Sequence, residues 1–237
     1  MPNDWVLLIS CEHGGHKIPK LYLKDLDDET KELLATHRGW DRGALGLAKT
    51  VSKVENSPLF FTEISRLLID CNRSINHKSV FGPSFRDKSP EMKEQIANDY
   101  YHPYRLSIVE AIERLHKKNF KVLHCAFHSF TPVLNGETRN AEFGLLYDPQ
   151  QASEMKWADV IMERLKEQEF PWRARRNYPY LGKSDGFTKF LRNQFGDKIY
   201  AGFEIEFNQT LFQSPEDAQR LSDEMLKLFA GLDLHRL

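Results

Sequence analysis

The stretch VLHCAFHSFTP, residues 122–132, decides how this chain is read. It opens as an apolar run with a β-branched first residue and closes on His128, Ser129, Thr131 and Pro132, which stop a strand. A buried strand over residues 121–127 with a histidine at its carboxyl end suits an α/β protein, where ligands bind outside the carboxyl ends of strands. The first apolar run, residues 5–10, ends the same way, on Cys11-Glu12-His13-Gly14-Gly15. Two strands that each end in a histidine and turn residues predict one shared site.

Further elements extend outward from this pair. Residues 27–36 predict a helix with an acidic first turn, and residues 40–54 a second, with Ala44, Leu47, Ala48 and Val51 on one face. Residues 59–63 and 66–70 read as short strands, the second leading into Asp70-Cys71-Asn72-Arg73. The polar stretch 74–89 is long for a connection, which marks it as functional. Residues 90–118 predict a long helix that Pro103 breaks or kinks. Strands are expected over 142–147, 173–177 and 198–207. Helices are expected over 152–168, over 184–194 capped by Ser184 or Asp185, and over 214–228 with Ser214-Pro215-Glu216 at its start. Strands alternating with helices predict one domain over residues 1–237, an α/β chain built as a three-layer α/β/α sandwich around a mixed sheet.

The bulk properties narrow the function. The 237 residues are 41% hydrophobic and 28% charged, a balance that fits an ordinary globular chain able to bury a large core. A net charge of -1 argues against a nucleic-acid partner. No apolar run approaches a membrane span, and the N-terminus lacks the basic and apolar regions of a signal peptide. Cys11, Cys71 and Cys125 are odd in number and widely spaced, with no CxxC pair. That pattern predicts neither a disulfide framework nor a zinc ribbon, and it places the protein in the cytoplasm.

Two histidines at neighbouring strand ends invite a catalytic metal, and a carboxylate is the usual third partner. Glu12, Asp41, Asp70, Glu204 and Glu206 are the carboxylates available. Asp41 stands in a Gly-flanked segment at a helix start, from which it can turn towards the first strand. Glu204 and Glu206 lie two apart in a strand and share a face. A carboxylate buried in so apolar a strand needs a partner or a task. His16 makes an HxxH with His13, although a loop gives that spacing no fixed geometry. His124 is read as core. Arg66, Arg73 and Arg139 offer planar forks for an anionic substrate, and Arg73 stands out because it follows a predicted strand end. Thiol chemistry at Cys11 or Cys125 is the rival, since each lies close in sequence to a histidine and Cys11 would share a face with His13.

Six stretches, in order, resemble the N-formylglutamate amidohydrolase family: SCEHGGHKIP (10–19), HRGWDRGALGLA (37–48), SRLLIDCNRS (65–74), FHSFTPVLNGETRNAEFGLLYD (127–148), RRNYPYLGKSDGF (175–187) and GFEIEFNQ (202–209). They span nearly the whole chain. The family is similar to the zinc carboxypeptidase and aspartoacylase fold, a phosphorylase/hydrolase-like architecture. That wider group uses a metal histidine after the first strand, an Asn-Arg pair, a second histidine and a late strand glutamate. His13, Asn72-Arg73, His128 and Glu206 fall in that order.

The wider group carries its metal carboxylate three residues after the first histidine, where this chain has His16; the third ligand is left open, and Asp41 is preferred over His16. The resemblance implies a Zn2+-dependent amidohydrolase, with another divalent metal as an alternative, acting on an N-acyl amino acid, N-formyl-L-glutamate first. The implied ligands are His13, Asp41 and His128. Glu206 is the implied general base, with Glu204 as its rival. Arg66, Asn72, Arg73 and Arg139 are the implied substrate-binding groups. A deacylase or carboxypeptidase of another acylated amino acid or peptide, and a non-catalytic ligand-binding member of the fold, are the alternatives.

Overall fold

The structure is a computed structural model that describes residues 4–234. Its centre is a six-stranded sheet. In chain order the strands are β1 (Trp5–Cys11), β2 (Leu59–Phe61), β3 (Lys121–Phe130), β6 (Phe143–Leu146), β7 (Ala174–Arg176) and β8 (Tyr200–Asn208), arranged spatially as β2-β1-β3-β8-β6-β7. Strands β2, β1, β3 and β8 run parallel, whereas β6 is antiparallel to β8 and parallel to β7, so the sheet is mixed as expected. Between β3 and β6 lies a hairpin of β4 (Val133–Leu134) and β5 (Glu137–Thr138). Sequence reading missed it, although Asn135-Gly136, both at positive φ, is a strong two-residue hairpin signal.

Alternation along the three central strands divides the sheet into two faces. Leu7 and Ile9 on β1, Leu123, Cys125 and Phe127 on β3, and Phe203, Ile205 and Phe207 on β8 join one apolar core. Against it pack α2 (Ala44–Glu55), α6 (Ala152–Glu167) and α8 (Pro215–Ala230). The opposite face buries Leu8, Val122 and Tyr200 with α4 (Pro90–Ile96), α5 (His102–Lys117) and α7 (Phe187–Phe195). Helices cover both faces of a mixed sheet, the three-layer architecture predicted. Two shorter helices, α1 (Asp28–Leu34) and α3 (Pro83–Arg86), cap the second face. Asp27 caps α1 by accepting from Thr30 N, and Ser214 caps α8 by accepting from Asp217 N.

Pro103 acts as expected, but through the turn that precedes it. Residues Ala97–Tyr101 form a π-helical turn, with His102 N donating to Ala97 O, and α5 starts with the proline in its first turn, where a missing N–H is harmless. Two expectations are corrected. Residues 66–70 form no strand: Leu68 N and Ile69 N both donate to Ser65 O, folding the segment into a buried turn. A short apolar run does not by itself distinguish a strand from another buried segment. The helix expected from residue 184 begins at Phe187 with Gly186 as its cap, because the Asp185 carboxylate accepts from Ser74 N and Ser74 Oγ instead. Among the described residues, no helix is long and apolar enough to cross a membrane.

Candidate active site

The carboxyl ends of β1, β3 and β8 open into a cavity of about 400 Å³, a size suited to a small molecule. His13 arrives from the turn after β1, His128 from β3, and Glu204 and Glu206 from β8; all four line it. His128 and Glu206 are register partners on adjacent strands and share a face. Asp41 comes from the segment that leads into α2. Its backbone N donates to His13 O at 2.9 Å, which fastens the segment to the end of β1. Gly43, at φ 84°, then turns the chain into the helix; a Cβ there would stand 2.2 Å from the Phe212 ring.

Three groups converge. The Nδ1 atoms of His13 and His128 lie 3.3 and 2.8 Å from the same oxygen, Asp41 Oδ2. One ligand atom from each residue fits within a sphere of contacts no wider than 4.8 Å, and all three residues are buried. In a tetrahedral site with bonds of about 2.0–2.1 Å, neighbouring ligand atoms stand about 3.3 Å apart, so these three residues could hold a metal ion. The outer nitrogens meet carboxylates. His13 Nε2 is 2.7 Å from Asp70 Oδ1, and His128 Nε2 is 3.2 Å from Glu12 Oε2. Arg66 extends into the same cluster, 3.4 Å from Asp41 Oδ1 and 3.0 Å from His13 Nε2.

The electrostatics favour a cation. Burial resists ionisation of Asp41 and Asp70, yet His13 and Arg66 outweigh it and hold both carboxyls well below the usual range. Burial works against charge on His128, but Asp41 and Glu12 push its pKa well above the ordinary value. Without a metal, Asp41 and Glu12 therefore draw positive charge onto the His128 imidazole. A bound dication at Nδ1 would answer the same field.

Glu204 and Glu206 differ although they share a face. Glu204 Oε1 accepts from Asn72 Nδ2 at 3.2 Å and from Thr188 Oγ1 at 3.4 Å. Glu206 is 5% exposed, and its Oε2 has no hydrogen-bond partner among the described residues. Burial raises its pKa to about 8, Asp41 and Glu204 add to the rise, and His128 and Arg66 oppose it. A carboxyl that titrates near neutrality and faces a cavity is suited to proton transfer.

The predicted anion-binding groups are distributed unevenly. Arg73 lines the cavity. Its backbone oxygen accepts from Tyr101 Oη and Arg105, and one guanidinium nitrogen donates to Asp185 O. The other guanidinium nitrogens have no hydrogen-bond partner among the described residues. Asn72 also lines the cavity, but its amide is engaged, donating to Glu204 and accepting from Phe187 N. Arg139 lies at the rim, where it stacks on Phe130 and Tyr180 and donates to the Tyr180 hydroxyl. His16 stacks beside Trp40 outside the three-residue group. His124 is core, with hydrogen bonds to Ser10 and Tyr200.

The cysteines lie elsewhere. Cys11 and Cys125 belong to the opposite, apolar face, and burial pushes both thiols upward. Strand β1 ends at Cys11, so its alternation does not carry through to His13. Several site residues escaped sequence reading. Tyr180 and Leu181 form the outer wall, and Ser129 N donates to Asp41 Oδ2 at 3.3 Å. Glu12 and Asp70 were visible only as carboxylates, without the side of the histidine on which they sit.

No curated protein matches the chain by sequence. Two solved structures are similar over almost all of it. The gene product Atu2144 from Agrobacterium tumefaciens is 26% identical, with a TM-score of 0.82, covering 97% of this chain and 90% of its own. The N-formylglutamate amidohydrolase from Ralstonia eutropha JMP134 is 19% identical, with a TM-score of 0.70, covering 97% and 94%, and shares the fold. The sequence model of the N-formylglutamate amidohydrolase family matches residues 6–213, a span that contains every residue of the cavity described above, and this chain belongs to that family.

Proposed function

We propose that this amidohydrolase cleaves the amide bond of an N-acyl amino acid, with N-formyl-L-glutamate yielding formate and L-glutamate, and that it holds Zn2+ through His13, Asp41 and His128. The observation that carries the reading is the meeting of these three ligand atoms with an unpartnered, high-pKa glutamate in one small-molecule cavity. Zinc, when bound, lowers the pKa of a water and polarises an acyl oxygen. Glu206 accepts the proton of the attacking water and returns it to the leaving nitrogen; its raised pKa suits both halves of that task. Asp70 and Glu12 keep the two imidazoles oriented.

Arg73 offers a charge-assisted fork to the substrate carboxylate. Arg66 balances Asp41 and Asp70 beside it, Asn72 braces the floor through Glu204, and Arg139 supports the rim through Tyr180. Three buried, unpaired thiols fit a reducing cytoplasmic setting. One observation favours a second reading, a deacylase of larger acyl groups. Tyr180 and Leu181, 46% and 52% exposed, place an apolar wall at the cavity mouth.

The test is turnover by zinc-loaded protein of N-formyl-, N-acetyl- and longer N-acyl-glutamate beside N-formyl-leucine, with metal content measured. Hydrolysis of N-formyl-L-glutamate that chelation abolishes and zinc restores is expected. Preference for longer acyl chains would move the assignment to the second reading, and metal-independent turnover would overturn both.

A further inference from the structure

Behind His128, on the side away from the cavity, buried polar side chains from three strands and a helix form one connected chain. The Tyr200 hydroxyl on β8 is 2.6 Å from His124 Nδ1 on β3, and His124 Nε2 is 2.7 Å from Ser10 Oγ on β1. The Ser10 hydroxyl helps to hold the Glu12 carboxyl below its ordinary pKa, and Tyr104 Oη on α5 donates to Glu12 Oε1 at 2.8 Å. The remaining oxygen, Glu12 Oε2, forms an ion pair with His128 Nε2 at 3.2 Å, and neither atom has a hydrogen-bond partner among the described residues. All these residues are buried.

The direction of each bond follows from donor inventory. A carboxylate only accepts, so Tyr104, Ser10 and His128 must each turn a proton towards Glu12. Ser10, having given its proton, accepts from His124 Nε2–H. His124, kept neutral by burial, then presents a lone pair at Nδ1 to the Tyr200 O–H. The backbone makes room for this path. Gly202 lies under the Tyr200 ring, where a Cβ would stand 2.3 Å from the hydroxyl. Tyr104 directly, and Ser10 with His124 and Tyr200 behind it, thus bear on one carboxylate, and that carboxylate reaches one ring nitrogen of a histidine whose other nitrogen faces Asp41.

We propose that this chain is a positioning device: Tyr104, Ser10, His124 and Tyr200 lock Glu12, and Glu12 fixes the His128 proton on Nε2 so that Nδ1 presents its lone pair to the metal. The proposal rests on the reading of His128 as a ligand. Nothing in the chain touches substrate; its effect is on metal affinity. Outer partners of ligating histidines typically contribute about 10–100-fold in affinity.

The experiment is zinc titration of chelator-stripped protein against a chromophoric competitor, with urea unfolding of the same metal-free samples. Variants are Glu12→Ala, Glu12→Gln, Tyr104→Phe and His128→Ala. Glu12→Ala is expected to weaken zinc binding about 10–100-fold. Glu12→Gln, which keeps an acceptor oxygen, should recover part of that loss. Tyr104→Phe, isosteric and not itself in contact with His128, should weaken zinc severalfold. In the zinc-loaded wild type, 15N spectroscopy should find the His128 proton on Nε2. Wild-type zinc affinity in Glu12→Gln and Tyr104→Phe, with only unfolding shifted, would reduce the chain to core structure and overturn the proposal. So would a His128 proton on Nδ1. If His128→Ala retains stoichiometric zinc, the metal-site reading itself fails. Loss of zinc in His128→Ala beside wild-type binding in the other variants rejects the positioning role alone.

Discussion

Glu206→Gln is expected to stabilise the metal-free fold at alkaline pH while removing turnover. The carboxyl is 5% exposed, its Oε2 is unpartnered, and it titrates near 8 instead of 4.5. A group whose pKa is raised by folding contributes stability that is complete below the unfolded value and is lost as pH rises through the folded one. Here the loss runs from about pH 4.5 to about pH 8. At about 1.4 kcal/mol for each pH unit, the ionised side chain costs the metal-free fold about 5 kcal/mol once pH exceeds 8. Glutamine keeps the shape and never ionises, so that loss should vanish in the variant.

The assay is urea unfolding of chelator-treated wild type and variant from pH 5 to pH 9. The difference in unfolding free energy should widen in the variant's favour across this range. With zinc restored, Glu206→Gln should keep its metal and lose about 10²–10⁴-fold in kcat, the usual worth of a general base. Parallel pH-stability curves for the wild type and Glu206→Gln would refute the reasoning, because the carboxyl would then ionise as readily in the fold as in the unfolded chain.

Other expectations concern metal, substrate and scaffold. His13→Ala and His128→Ala should each lose bound metal by elemental analysis; stoichiometric metal in either would remove that residue from the ligand set. Arg73→Ala should raise KM for N-formyl-L-glutamate, since a hydrogen bond to a charged group is worth about 1.5–3 kcal/mol, one to two orders of magnitude. An equal effect on an acyl amino acid amide would make Arg73 structural. Arg192→Met should destabilise the fold by about 3–5 kcal/mol in urea titrations, because it strands a buried carboxylate. Arg192 Nε donates to Glu154 Oε1 at 2.6 Å, and its other nitrogens hold Gly182 O and Gly202 O. A change under 1 kcal/mol would show that Glu154 is neutral in the fold.

The parts of this site that local pattern encodes were legible in the sequence. His13 and His128 follow from apolar runs that end at a histidine, whereas strand parity puts Glu204 and Glu206 on one face alike and only the family resemblance singles out Glu206. Asp41 was legible because glycines flank it at a helix start. What escaped depends on tertiary direction. Glu12 and Asp70 are carboxylates near histidines in any reading, and only ring orientation places them behind the imidazoles. The Leu67-Leu68-Ile69 run is as apolar as a strand, yet the Ser65 carbonyl gathers it into a turn. Asp185 looked like a cap until Ser74, 111 residues earlier, took its carboxylate. The Arg192–Glu154 pair sits on two separate helices and leaves no local periodic trace.

The alternation of β8 has a consequence for how this chain can change over evolutionary time. Phe203, Ile205 and Phe207 hold one core together, while on the other side Gly202 leaves room for the Tyr200 ring and Glu204 and Glu206 line the cavity. Replacements on one side leave the other in place, so the cavity lining and thermal tolerance can drift independently. Insertion or deletion of a single residue within the strand cannot be absorbed in that way, because it exchanges the two faces over its length. Phenylalanines would enter the cavity and glutamates the core. Lineages of this fold should therefore vary freely in side chains along β8 and in the length of the hairpin at Asn135-Gly136, while the spacing from Gly202 to Glu206 stays constant.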